Sequence, residues 1–83
     1  MNIRAKITEV FNEIWAEDHD VPPPALLDDT VLLETGMDSM AFAVLVARLD
    51  EELGFDPFTQ SDDVYYPREF GEFVAFYEKF ATQ

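Results

Sequence analysis

Apolar residues return every three or four positions along the first stretch of the chain, at Ile3, Ile7, Val10, Phe11, Ile14 and Trp15. That spacing lines one face of an α-helix and predicts a first helix over about residues 2–17. The period then breaks. Pro22, Pro23 and Pro24 remove three backbone donors and fix φ, and Asp28, Asp29 and Thr30 favour turns, so residues 18–37 read as a long loop. The three prolines stiffen this loop rather than offer a polyproline ligand. Leu26, Leu27, Val31, Leu32 and Leu33 are too apolar for a solvated connection, and Leu27 and Leu32 are expected to pin the loop across the core.

The helical period resumes with Phe42, Leu45, Val46, Leu49 and Leu53, which predicts a second helix over about residues 39–53, capped by Asp38 and ended by Gly54. Phe55 to Gln60 contains Pro57 and reads as a loop. Ser61-Asp62-Asp63 looks like a cap with acids in the first turn, predicting a short helix over about 61–66. Pro67 opens the next segment, where Phe70, Phe73, Val74 and Tyr77 share a face and Phe76 and Phe80 sit beside it, predicting a last helix over about 67–81. These segments make one domain over residues 1–83, too short a chain for two separate cores.

Charge narrows what such a domain can bind. Eighteen acids oppose five Lys and Arg, a formal charge of −13. This field repels nucleic acid and anionic lipid and steers the protein toward basic patches on other proteins. With 48% hydrophobic residues the chain is nonetheless a folding sequence and not an acidic tail. The absence of cysteine removes disulfides and thiolate chemistry. No apolar run reaches a membrane span or a secretory signal, so a cytoplasmic monomer is expected.

Ser39 is the residue that invites chemistry, because it stands where a glycine loop meets a helix N-terminus. Its hydroxyl should be exposed beside unpaired backbone N–H groups, which stabilise an attached phosphate, while Asp38 places an opposing carboxylate there. The sequence offers it no base: His19, the single histidine, lies at a loop edge and reads as solvated. This argues against a serine hydrolase, and Ser39 reads as the substrate of another enzyme. An isolated Asp-Ser pair at a helix start is ordinarily only a cap; the glycine, chain length and acidity turn this one toward modification. Glu9, Glu13 and Glu17 read as a solvated helix face rather than a metal site, and Trp15 as a core anchor. The rings of Phe70, Phe73, Phe76, Tyr77 and Phe80 read as core, with a lesser reading as lining for a carried chain.

The segment Leu32-Leu33-Glu34-Thr35-Gly36-Met37-Asp38-Ser39-Met40, with Val46-Ala47-Arg48-Leu49-Asp50-Glu51-Glu52-Leu53-Gly54 after it, resembles the acyl and peptidyl carrier protein family. The resemblance implies an all-α, four-helix bundle of acyl-carrier type, with a long loop between the first and second helices and a short third helix. It implies that the serine of a Gly-x-Asp-Ser-Leu motif, here Ser39, receives covalent 4'-phosphopantetheine from coenzyme A through a magnesium-dependent transferase. The protein would then be a phosphoprotein and thioester carrier, not an enzyme. Its partners would be a phosphopantetheinyl transferase, an acyl- or aminoacyl-loading ligase and a downstream synthase or transferase.

Two departures stand out. Met40 replaces the leucine after the serine, a change that keeps an apolar contact. Tyr65-Tyr66-Pro67-Arg68-Glu69-Phe70 stands where many members have a Thr or Ser cap. On the second helix, Met40, Ala43, Val44 and Ala47 face away from the core stripe, so Asp38, Met40, Val44, Ala47 and Glu51 are the expected partner-recognition residues. Acids on that helix wait until Asp50, Glu51 and Glu52, unlike the acidic ladder of fatty-acid carriers. This favours a nonribosomal-peptide, polyketide or ligase-coupled pathway. The competing reading is an unmodified acidic interaction module; a nucleic-acid mimic rests on charge alone.

Overall fold

The computed structural model describes residues 2–60 and 67–81. Helix α1 spans Ile3–Asp18 and buries all six residues of its predicted stripe. Asn2 caps it, the side-chain oxygen accepting from the Ala5 N–H at 3.0 Å. Helix α2 spans Ser39–Leu53, as the sequence predicts, and packs on α1 through Leu45 and Leu49, both 0% exposed. Lys6 reaches Glu52 at 3.7 Å, and Arg48 reaches Glu17 at 2.7 Å, which fixes the two helices antiparallel. Helix α4 spans Phe70–Ala81 and completes the core with Phe70, Phe73, Val74 and Tyr77. The described residues contain helices and one isolated bridge between Val31 and Glu69, the all-α bundle that the resemblance implies.

The structure corrects the chain between α2 and α4. Residues 57–60, expected as a loop, form a four-residue helix, α3, at Pro57–Gln60. Pro57 starts this turn instead of preventing it, because the first helical position needs no N–H and wants the φ that proline supplies. Asp56 caps the turn, its carboxylate accepting from the Phe58 N–H at 2.9 Å. Phe58 then packs on Phe76, with ring centroids 5.0 Å apart, and on Tyr77 at 6.1 Å. The short helix expected over 61–66 lies outside the described residues. Helix α4 begins at Phe70 and not at Pro67, because the long loop claims the backbone before it. The Leu32 N–H donates to the Arg68 carbonyl at 3.1 Å and the Phe70 N–H to the Thr30 carbonyl at 2.7 Å.

The loop is pinned by Leu32, 1% exposed, as expected, but not by Leu27, which is 62% exposed. A turn between the Leu27 carbonyl and the Thr30 N–H, 3.1 Å apart, rotates Leu27 outward, and Leu26 packs against the core in its place.

Tyr77 is fully buried among Phe55, Phe58 and Phe73, and its hydroxyl has no hydrogen-bond partner among the described residues. Burial, and then the negative charges of Asp56 and Asp50, push the phenol up from its ordinary value of 10.0. The folded state thus keeps a proton that the unfolded chain releases above about pH 10, so Tyr77 leaves stability unaffected below that pH and lowers it above. Stability is expected to fall by up to about 1.4 kcal/mol per pH unit from this group. Urea titrations at pH 9 to 11 should show Tyr77→Phe losing less stability over that range than the parent; parallel pH profiles would refute the assignment.

Candidate functional site

The loop reaches α2 through Gly36, Met37 and Asp38. Gly36 has φ of +111°, a conformation that side chains other than hydrogen strain, and a β-carbon there would lie 3.2 Å from Cη2 of Trp15. Beneath this backbone, the Trp15 indole donates from Nε1 to the Val21 carbonyl at 2.9 Å and stacks on His19 with centroids 3.8 Å apart. One side chain therefore braces both the start and the end of the loop. Thr35 tightens the last turn, its hydroxyl donating to the Leu32 carbonyl at 2.6 Å, and Met37 plugs the core at 4% exposure. Gly36→Ala is expected to cost about 1–3 kcal/mol, since both the dihedral and the buried ring oppose a methyl group. A urea midpoint that does not move would show that Trp15 yields.

Ser39 is exposed at the first position of α2. Asp38 has turned its carboxylate back to accept from the Ala41 N–H at 2.8 Å, and the first helical bond runs from the Phe42 N–H to the Asp38 carbonyl at 3.0 Å. The N–H groups of Ser39 and Met40 have no partner among the described residues. An exposed hydroxyl beside two unpaired donors at the positive end of a helix of 15 residues fits a phosphate ester in both access and charge. Asp38, held in its cap and without an ion pair among the described residues, leaves a carboxylate beside that position.

His19 is half-buried against Trp15, not a freely solvated loop residue, and its Nδ1 lies 3.3 Å from the Trp15 carbonyl oxygen. No hydrogen bond joins it to Ser39 among the described residues. Among the described residues the serine has a helix cap and no hydrogen-bonded base.

Of the expected recognition residues, Met40 is 75% exposed and Val44 37%, and Asp38, Ala47 and Glu51 are also exposed. Met40, Val44, Ala47 and Glu51 fall within about 60° around α2, opposite Leu45 and Leu49. Arg48 is drawn off this stripe by its two bonds to Glu17, at 3.0 and 2.7 Å. Glu9 pairs with Lys6, Glu17 with Arg48, and the described residues hold no cluster of metal-ligating type. The rings of Phe70, Phe73, Phe76 and Tyr77 are buried as core. Sequence reading missed the Trp15–His19 stack and the contact of Trp15 with Gly36; the one local signal was a histidine four residues after a tryptophan at a helix end.

A family model described as a phosphopantetheine attachment site matches residues 9–58, more than half of the chain. No curated protein and no solved structure matches it.

Proposed function

The chain belongs to the phosphopantetheine attachment-site family, and on that premise we propose that Ser39 takes the 4'-phosphopantetheine arm from coenzyme A. The protein then carries acyl or aminoacyl groups as thioesters between partner enzymes. One observation carries the assignment: residues 9–58, the matched segment, contain a single serine, and it is the exposed Ser39 at the start of α2. The bound arm supplies a thiol on a flexible tether. The chain's own residues do the rest: Asp38 and the first turn of α2 hold the attachment point at the surface, and Trp15 with Gly36 fixes the loop that delivers it.

The partners are a phosphopantetheinyl transferase, a loading ligase and a downstream synthase or transferase. The apolar stripe of Met40, Val44 and Ala47, ending in Glu51, is the surface they read, and a cation from the transferase offsets Asp38 as the phosphate is attached. Acids confined to the far end of α2 support a nonribosomal-peptide, polyketide or ligase-coupled pathway.

The test is direct. Apo-protein incubated with coenzyme A, magnesium and either of two transferases of different breadth should gain one phosphopantetheine by intact mass, mapped to Ser39 by peptide fragmentation. No gain with either transferase, or a gain mapped elsewhere, overturns the assignment and favours an unmodified acidic interaction module.

A further inference from the structure

A groove of about 450 Å³ runs between the end of α1 and the start of α2. This volume lies within the range of small-molecule sites. Asp38 and Met40, the two neighbours of Ser39, both line it, so anything tethered to Ser39 starts at its mouth. Val44, also lining it, stands five residues along α2, about 7.5 Å by helical rise, within reach of an extended tether.

The groove is not uniformly apolar. Ile14, Met37 and Val44 supply its apolar lining, while Glu17, Asp18 and Asp38 bring carboxylates. Arg48 neutralises Glu17, its Nη2 donating to both carboxylate oxygens. Asp18 and Asp38 have no ion pair among the described residues, and Arg48 is already engaged by Glu17. What fits is a short apolar stem carrying a positive charge, and what is repelled is a second carboxylate.

We propose that this groove is the resting cradle of the loaded arm, and that it selects a carried group with a free ammonium, an aminoacyl group, over an acyl group ending in a carboxylate. The proposal rests on attachment at Ser39 and names the substrate class of that same site. The arm bends back along α2, its carried stem lies against Met37 and Val44, and the ammonium sits between Asp18 and Asp38. A neutral acyl group gains the apolar contact alone.

The experiment uses the full chain loaded at Ser39 with hydrolysis-resistant amide analogues of coenzyme A bearing glycyl, acetyl or succinyl groups. Intact mass checks loading first, and failure at that step sinks the carrier reading itself, not the cradle. Amide and indole shifts in ¹⁵N–¹H spectra are then compared with the unloaded holo-protein. Glycyl should move Ile14, His19, Met37, Val44 and the Trp15 indole at least twofold more than acetyl does, with cross-relaxation from its methylene to the Val44 methyls, and succinyl should leave these signals at their holo positions. Asp18→Asn should reduce the glycyl shifts by about half. Equal shifts for the three groups, no cross-relaxation to Val44, or shifts centred on Phe58 and Tyr77 would overturn the proposal.

Discussion

Ser39→Ala is expected to abolish loading completely while leaving the fold unchanged. The hydroxyl makes no hydrogen bond among the described residues and stands exposed at the first position of α2. Alanine is the stronger helix former there, so stability should move by no more than about 0.5 kcal/mol. The cap is Asp38, whose bond to the Ala41 N–H does not involve residue 39. Intact mass after transferase treatment reads the chemistry and a urea midpoint reads the fold. A mass gain that survives the substitution removes Ser39 from the site, and a large drop in midpoint would mean that the hydroxyl has a structural role.

Trp15→Ala carries the largest expected loss of stability, about 3–5 kcal/mol. A domain of 83 residues has roughly 4–12 kcal/mol in all, so the variant sits near the edge of folding. Three contributions go at once: the buried indole, 7% exposed, the Nε1 bond to Val21, and the ring faces that pack on Phe11 and His19. The backbone at Gly36 then loses its support from below. Trp15→Phe is the milder variant: it keeps an aromatic ring but loses both the Nε1 donor and the Cη2–Cζ3 edge beneath Gly36, and about 1–3 kcal/mol is expected there, chiefly for the lost packing, since water can reach the carbonyl of the exposed Val21. Circular dichroism in urea is the measurement, because the single tryptophan is itself removed. A loss below about 1 kcal/mol in Trp15→Ala would show that the loop is braced elsewhere.

The residues that local chemistry governs were legible in the chain. The limits of α2 follow from Asp38, Gly54 and the period of Leu45, Leu49 and Leu53, and each of these acts within a turn or two of itself. The place of Ser39 follows from the same cap. The start of α4 was not legible, because it depends on the backbone groups of Thr30 and Leu32 meeting those of Phe70 and Arg68 across the fold. Pro57 misled for a related reason: proline removes a donor wherever it stands, but whether the position needs one depends on the helix start that Asp56 and the packing of Phe58 create.

By itself, then, the sequence determined the helical stripes, the acidic field and a serine set at a helix start without a base, since period, charge and capping are properties of neighbouring residues. The tertiary structure alone decided that Leu26 and not Leu27 turns inward, that Trp15 lies beneath Gly36 and against His19, and that a groove with carboxylates on its rim opens beside Ser39. Those features join residues far apart in the chain, and only the packed path of the backbone brings them within van der Waals reach.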